Sequence, residues 1–340
     1  MTGKERFIKV IKGEQADRTP VFPLLMSFAA ERYGINYRTF ASNSHALVEA
    51  QLMMAERFPI DAVTVCSDAF RVAADLGGVL DFPDDKPPYL IEPLIKSRND
   101  MPVFQQTVMS KPGSRMRDRV KSVEELTRAA GNKFMALGWV DMPFAEACSL
   151  CGLQNFMYML YEDPALSHDI LAGLTRIVIE FATAQISAGA EMIGAGDAAA
   201  SLLSPDLYLT FAWPYECQVV QSIHDNQAMV KLHICGNTAH LLDDMVTTGC
   251  DLFNVDHLVD LSKAAAVYTR AGKAFKGNTD PVALLQQTPD ECAQLARTCM
   301  EKVDARRLYM LSAGCEIPAQ TPDENFLAFC NNFNEKKIIR

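Results

Sequence analysis

The sequence of 340 residues lacks any uninterrupted apolar run close to the roughly 20 residues that a helix needs to cross a bilayer. Its N-terminal segment, residues 1–10, is charged and amphipathic, with neither the apolar block nor the cleavage site of a signal peptide. These absences predict a cytoplasmic protein that has no membrane partner.

Positive charge is also scarce. Lysine and arginine total 32 against 42 aspartates and glutamates, which leaves a formal net charge of −10. This acidic balance argues against nucleic acid as the main partner. The chain has no low-complexity linker and no internal repeat, while 49% of its residues are hydrophobic. That composition suits one barrel-sized domain or two smaller ones.

Short apolar runs alternate with longer amphipathic stretches, a pattern that predicts parallel strands connected by helices. An open doubly wound sheet would have similar strands, but the strand count and the polar residues just past the strand ends favour a (β/α)8 TIM barrel. We therefore predict one α/β barrel domain over residues 1–340, with a helical segment at its N-terminus and excursions over the rim within Asp81–Ser122. The eight predicted strands are Pro20–Leu24, Asp61–Val65, Lys133–Trp139, Glu191–Asp197, Met229–Cys235, Asp251–Asp256, Ala274–Asn278 and Arg307–Ala313.

Three soft metal ligands stand out among the strand-end residues: His233, Cys235 and Cys315. His233 and Cys235 are two residues apart on a predicted strand, so their side chains point to the same side. Cys315 follows the last predicted strand. One imidazole and two thiols form the ligand set of a zinc ion whose fourth position is open for chemistry. The competing interpretation is a core histidine with two buried thiols, but placement at a barrel rim favours the metal.

Two further patterns are weaker. Cys148-Ser-Leu-Cys151 is a C-x-x-C motif without a second pair, so two packed thiols explain it better than a redox or metal site. The basic run Arg115–Lys121 would suit an anionic substrate or partner, but a solvated helix face explains it better.

Other short segments, spread over almost the whole chain, share one family pattern: Asp17–Pro20, Val63–Asp68, Ser204–Asp206, Pro214-Tyr215, Gly277–Pro281 and Thr321–Asn325. They resemble the uroporphyrinogen decarboxylase superfamily. Lys231–Gly236 and Ser312–Pro318 resemble its zinc-dependent corrinoid methyltransferase branch, which includes the methylcobamide:coenzyme M methyltransferases. The resemblance implies a TIM barrel, a Zn²⁺ site of His233, Cys235 and Cys315, and transfer of a methyl group between a corrinoid such as methylcobalamin and a thiol such as coenzyme M.

Two departures separate the chain from the decarboxylases themselves. Their first rim loop is rich in arginine, whereas Phe22–Phe28 contains none, and their last rim loop has a histidine between glycines where this chain has Gly314-Cys315-Glu316. Asp68 does match the catalytic aspartate of the decarboxylases. Without cations to hold several carboxylates, decarboxylation loses its electrostatic basis, and a uroporphyrinogen decarboxylase is the weaker alternative.

The chain contains no Asp-x-His-x-x-Gly corrinoid-binding signature. The resemblance therefore implies a separate corrinoid protein that docks over the rim. The same zinc ion would equally serve an O-demethylase system, in which a methyl ether gives its methyl group to the corrinoid. A sulfonate thiol would need a cation, for which Arg71 is the candidate near a strand end. A catalytically silent barrel protein is the alternative outside the enzymes.

Further roles are expected at the rim. Asp68 and Glu316 are candidate catalytic residues, and Trp139, Asp197 and Asn278 are candidate cofactor-binding residues. Asp256, Asp280 or Glu316 could orient His233 from behind, or Glu316 could take the open metal position. An aromatic methyl donor, a corrin face or ordinary packing would each account for the apolar residues Met26, Phe28, Phe70, Trp139, Met142 and Phe144.

Overall fold

A computed structural model describes residues 1–108, 113–303 and 306–331 of the chain. Its strands are β1 (Ala62–Thr64), β2 (Leu80–Asp81), β3 (Tyr89–Leu90), β4 (Met135–Asp141), β5 (Met192–Gly196), β6 (Met229–His233), β7 (Leu252–Asn254), β8 (Ala274–Thr279) and β9 (Tyr309–Ala313). β2 and β3 form a separate antiparallel pair. The others form a seven-stranded parallel sheet in the order β1-β4-β5-β6-β7-β8-β9. Neighbours along the chain are therefore neighbours in the sheet.

Helices connect the parallel strands and cover the sheet; α7, α10, α12, α14 and α16 each pack on a strand. The helices are α1 (Gly3–Ile11), α2 (Ser27–Tyr33), α3 (Tyr37–Ser42), α4 (Ser44–Arg57), α5 (Arg71–Asp75), α6 (Met101–Val108), α7 (Ser114–Ala130), α8 (Pro143–Cys151), α9 (Leu153–Glu162), α10 (Pro164–Ser187), α11 (Pro205–Phe211), α12 (Trp213–Asp225), α13 (Leu242–Val246), α14 (Leu261–Arg270), α15 (Pro281–Gln286), α16 (Pro289–Glu301) and α17 (Asp323–Cys330). Short 3₁₀ helices span Arg98–Asp100, Ala198–Leu202 and Arg306–Leu308.

The first predicted strand, Pro20–Leu24, differs from the other seven because it forms only isolated bridges. Two of its five residues are prolines, which lack the N–H that a regular ladder needs. The segment still joins the outer strands: the Phe22 N–H donates to the Leu311 carbonyl (3.0 Å) and the Asp61 N–H donates to the Val21 carbonyl (2.8 Å). The parallel sheet therefore curls with this segment between β9 and β1, an arrangement consistent with a TIM-barrel-like fold.

The predicted excursion Asp81–Ser122 is shorter in the structure, and residues 109–112 within it lie outside the described part. The β2–β3 pair and α6 do depart from the alternation of strands and helices. Residues 114–122, however, already belong to α7, which packs on α4 and β4 as a regular covering helix.

Helix α10 is the one described helix that is long and apolar enough to cross a membrane by length and composition, with 24 residues. Of its most apolar window, 56% is buried inside the protein. α10 packs on α8, α12 and β4. Burial in the core accounts for the apolar character of α10.

Successive side chains along a strand point alternately to the inside of the curled sheet and to the layer of covering helices. Met135 and Leu137 of β4 belong to a small core cluster with Phe7 of α1, whereas the intervening Ala136 belongs to the large outer cluster. Phe7 packs edge-to-face on Phe22 with ring centroids 5.6 Å apart. Helix α1 therefore closes the inside at the end opposite the strand C-termini, and the polar strand-end residues face the open end.

The carboxylate of Asp61 anchors the N-terminal part of the chain. It is 1% exposed, accepts hydrogen bonds from the Val21 N–H (2.7 Å) and from the Arg18 guanidinium (2.8 and 2.9 Å), and is also paired with Arg6. These contacts connect α1, the segment after it and β1. Burial raises the pKa of Asp61, and Arg18 and Arg6 oppose that rise.

The substitution Asp61→Ala should lower the free energy of unfolding by about 3–5 kcal/mol, because it leaves Arg6 and Arg18 without a buried counter-charge. Urea denaturation followed by circular dichroism measures the change. Glu14→Ala is the matched control, since the Lys9–Glu14 ion pair is exposed and its loss should cost less than about 0.5 kcal/mol. Equal effects of the two substitutions would contradict the assignment.

Candidate metal site and cavity

His233, Cys235 and Cys315 come together although eighty residues separate the two thiols. His233 Nε2 lies 2.9 Å from Cys235 Sγ and 3.8 Å from Cys315 Sγ, and the two sulfurs are 3.5 Å apart. A tetrahedral zinc ion with Zn–S of about 2.3 Å and Zn–N of about 2.0 Å spaces its ligand atoms about 3.5–3.8 Å apart. The three side chains therefore form a donor set that fits one zinc ion after sub-ångström adjustment.

The protonation of the trio also suits a metal. Burial lowers the pKa of His233, which favours the neutral imidazole that binds metals. Hydrogen bonds with Cys235 and His233 lower the pKa of Cys315, while the same contact and burial raise the pKa of Cys235. Of the two thiols, Cys315 is therefore the one that loses its proton more readily.

Asn254 holds the loop that carries Cys315. It lies beside His233 in the parallel register of β6 and β7, and its Nδ2 donates to the Gly314 carbonyl at 2.7 Å. A Cβ on Gly314 would lie 2.3 Å from the His257 backbone nitrogen, so only glycine fits there. Asn254 was not predicted as a site residue; a polar side chain inside the predicted strand Asp251–Asp256 is the signal that indicates it.

Asp256 braces the turn that follows Cys235. Its carboxylate accepts from the Gly236 N–H (2.9 Å) and the Leu258 N–H (3.0 Å). The left-handed conformation of Gly236, with φ of 92°, permits this turn. Asn278, predicted to bind a cofactor, instead donates from Nδ2 to the Asp256 carbonyl (3.1 Å) and the Val259 carbonyl (2.7 Å).

The predicted carboxylate partner of His233 is not found among the described residues, where Nδ1 of His233 is buried without a hydrogen bond. Asp256 is engaged as above, and Asp280 caps α15 by accepting from the Val282 N–H at 2.9 Å. Glu316 accepts from the N–H and the hydroxyl of Ser27, both at 2.6 Å. Glu316 therefore ties the Cys315 loop to the start of α2, away from the metal ligands.

A cavity of about 810 Å³ opens directly onto the trio. Of the predicted site residues, Asp68 and Trp139 line it, whereas Glu316, Asp197 and Asn278 are absent from its lining. Among the apolar rim candidates, Met26, Phe70 and Trp139 line the cavity, while three are fully buried in the core: Phe28, Met142 and Phe144. The excursion contributes Tyr89, Leu90 and Pro93 to the wall.

Asp68 is neutralised by two arginines. It pairs with Arg71 (3.1 Å) and Arg115 (3.0 Å); although burial opposes ionisation, these cations hold the pKa of Asp68 below its ordinary range. Arg71 is 3% exposed and is absent from the cavity lining. Its Nη2 bonds Asp68 and Ser67, whereas its Nε is buried without a hydrogen-bond partner among the described residues. Arg119 is fully buried and donates to the Val65 carbonyl at 2.9 Å. The interpretation of Arg115–Lys121 as a solvated face is therefore wrong for Arg115 and Arg119.

Two titratable groups near the trio have no role in the predictions from the sequence. Asp141, at the end of β4, lines the cavity, and burial raises its pKa to about 7. Lys231 is two residues before His233 and fully buried, with Nζ 4.6 Å from the Trp139 ring centroid; burial lowers its pKa to about 8. The two-residue alternation that placed His233 inside the sheet also places Lys231 there.

Asp197 and the C-x-x-C motif lie in the wall behind the cavity. Asp197 is fully buried beside Glu216, and burial together with that carboxyl raises its pKa well above the ordinary value. Cys148 lines the cavity and Cys151 is buried, both as free thiols. Burial raises the pKa of Cys151 to about 12 and raises the pKa of Cys148 well above its ordinary value, as expected for packed thiols rather than a reactive pair.

The family model and the curated relatives that match this chain point to the same family. The family model "Uroporphyrinogen decarboxylase (URO-D)" matches residues 2–335. The uroporphyrinogen decarboxylase of Coxiella burnetii is 26% identical over 358 residues, covering 98% of this chain and 97% of its own length. The enzyme of the same name from Parasynechococcus marenigrum is 28% identical over 341 residues, covering 95% and 94%.

Two solved structures share the fold. A methyltransferase from Methanosarcina mazei superimposes with a TM-score of 0.84 at 23% identity and covers 97% of both chains. A B12-independent methionine synthase from a Shewanella species, in complex with selenomethionine, has a TM-score of 0.57 at 14% identity and covers 84% of this chain and 86% of its own. At these identities the likeness establishes the fold alone.

Replacing Asn254 by alanine should weaken zinc binding about 10- to 100-fold, as expected when a residue that orients a ligand is lost. The Gly314 carbonyl loses its donor, and Cys315 is no longer held next to Cys235. Competition against a chromophoric chelator measures the affinity. Asn226→Ala is the control, because the Asn226 side chain also donates to a carbonyl but is exposed. Unchanged zinc affinity in a folded Asn254→Ala protein would contradict the role.

Proposed function

The chain belongs to the uroporphyrinogen decarboxylase family, and within that family we propose that it is a zinc-dependent methyltransferase that moves a methyl group between a corrinoid on a separate protein and a thiol. One observation carries the proposal: a His-Cys-Cys donor set, whose ligand atoms all lie within 4.8 Å of one another, faces a cavity of about 810 Å³. Three protein ligands leave one position for a substrate, whereas a purely structural zinc site is filled by four.

The residues of the chain prepare this site for a sulfur substrate. His233, Cys235 and Cys315 would hold the ion, which would act as a Lewis acid that lowers the pKa of a bound thiol. Two thiolates and a neutral imidazole balance the charge of a divalent ion, so a substrate thiolate would stay electron-rich. The Asn254 contact to Gly314 and the Glu316 contacts to Ser27 keep the Cys315 loop in place.

Decarboxylation of a porphyrinogen fits the cavity poorly, although the curated relatives carry that name. No lysine or arginine among the described residues lines the cavity, which instead includes the carboxyl groups of Asp68 and Asp141. A substrate with several carboxylates would lose its hydration without gaining counter-charges. The likeness in fold to the Methanosarcina mazei methyltransferase is compatible with methyl transfer.

The mouth of the cavity supports the proposed docking of a corrinoid protein. Tyr89, Leu153 and Leu202 line the cavity and remain 50%, 45% and 62% exposed. Apolar side chains around an open mouth favour a partner surface. The corrinoid would then reach the trio from above, in agreement with the absence of an Asp-x-His-x-x-Gly signature from the chain.

A second candidate function is the reverse transfer, from a methyl ether to the corrinoid. The observation that favours it is the aromatic and thioether character of the wall, where Met26, Phe70 and Trp139 face the cavity. These side chains suit an aryl methyl ether as well as an apolar thiol. Both directions use the same zinc position and the same docking surface.

The purified protein should contain one zinc ion per chain and should demethylate free methylcobalamin in the presence of a thiol. Cys315→Ala should lose both zinc and activity, because only two ligands remain. Cys217→Ala is the control, since Cys217 is a free thiol on α12 outside the cavity lining, and it should keep both. Full zinc content in Cys315→Ala would overturn the assignment of the ligands.

The direction of transfer is tested with cob(I)alamin and an aryl methyl ether under anaerobic conditions. Formation of methylcobalamin, followed by its absorption spectrum, would select the ether as donor. Loss of methylcobalamin with a thiol but no gain from an ether would select the thiol as acceptor. Neither reaction, from a zinc-loaded protein together with its corrinoid protein, would contradict methyl transfer as a whole.

A further inference from the structure

We propose that the small substrate of this site carries no anionic group beyond its reacting atom and has an apolar body about the size of an aromatic ring. The inference rests on the proposed methyl transfer and specifies its substrate class. It excludes sulfonate and carboxylate substrates, including sulfonated thiols of the coenzyme M kind.

The cavity offers no cation to an anionic substrate. Its described lining contains neither lysine nor arginine. The nearest guanidinium groups, Arg71 and Arg115, are paired with Asp68. Lys231 is fully buried against the Trp139 ring and does not line the cavity. An anionic group that enters here would be dehydrated without a partner, which is strongly unfavourable.

The carboxyl group of Asp141 lies instead at the same level along the parallel strands as His233. In the parallel register Asp141 of β4 is level with Gly196 of β5, and Gly196 is level with His233 of β6. Glycine at the middle position makes room for the Asp141 carboxylate and the Trp139 ring, which would lie 2.8 and 3.3 Å from a Cβ there. Burial raises the pKa of Asp141 to about 7. Such a group exchanges hydrogen bonds with neutral oxygen or sulfur but repels an anion when it is ionised.

Three hydroxyl groups of the wall are already engaged. The Ser67 hydroxyl donates to Asp68 at 2.7 Å, the Ser201 hydroxyl donates to the Ala198 carbonyl at 3.0 Å, and the Tyr89 hydroxyl is bound to Asp81. The rest of the wall is dominated by apolar side chains, among them Leu24, Met26, Phe70 and Leu90. A cavity of about 810 Å³ has room for a ring-sized apolar body beneath the corrin.

Calorimetric binding to the zinc-loaded protein tests the inference with two matched pairs. The thiol pair is phenylmethanethiol and 4-(sulfanylmethyl)benzoate; the ether pair is methoxybenzene and 4-methoxybenzoate. Within the pair that binds, the uncharged member should bind at least about tenfold more tightly, because its partner buries a carboxylate without a counter-charge. Equal or tighter binding of the carboxylate in that pair would overturn the inference.

Two variants separate charge from shape. Ser149→Lys places a cation in the lining and should reverse or abolish the preference for the uncharged member, while Asp141→Asn should reduce it. Asp206→Asn, in the exposed first turn of α11, should leave it unchanged. An unaltered preference in a folded Ser149→Lys protein would contradict the role of charge.

Binding and catalysis give separate outcomes. A clear preference for the uncharged member without any methyl transfer to or from cobalamin would support the substrate class and refute the proposed reaction. Methyl transfer that is as efficient with the carboxylate as with its uncharged partner would support the reaction and refute the substrate class.

Discussion

The buried carboxylate of Asp61 is the contact on which the curled sheet depends. It holds the segment after α1 against the start of β1 through the Val21 N–H and Arg18, and that segment in turn is bonded to β9. Two prolines prevent the segment from pairing as a full strand. The Asp61 side chain therefore reinforces the few backbone hydrogen bonds that join this segment to β1 and β9.

Curling of the sheet determines the geometry of the candidate metal ligands. In a flat sheet, β6 and β9 would be three interstrand spacings of about 4.8 Å apart, because β7 and β8 lie between them. Because the sheet curls, the loop after β9 turns inward, and Cys315 Sγ approaches Cys235 Sγ to 3.5 Å. Asn254, next to His233 in register, secures that loop through Gly314. The order of the strands and the hydrogen bond from the Asn254 side-chain amide thus position Cys315 next to Cys235.

The arginines near the cavity form contacts within the protein, whereas the lining that a substrate would meet is mostly apolar. Arg71 and Arg115 both pair with Asp68 in the wall, and Arg119 donates to backbone carbonyls. The cavity lining is mostly apolar; its polar members are Asp68, Asp141, a few hydroxyl groups and the candidate metal ligands. The chain shares the family of these decarboxylases, while no lysine or arginine among the described residues lines its cavity.

Local patterns in the sequence were sufficient to predict the parallel strands, the position of His233 and Cys235 on one side of β6, and the position of Cys315 just past β9. Strand periodicity and strand ends are local properties of a sequence. Tertiary structure alone decided that Cys315 meets Cys235, that Glu316 binds Ser27 and that Arg115 of α7 pairs with Asp68. Those contacts join residues that are 47 to 289 positions apart. Packing of distant elements, which no local pattern encodes, determines them.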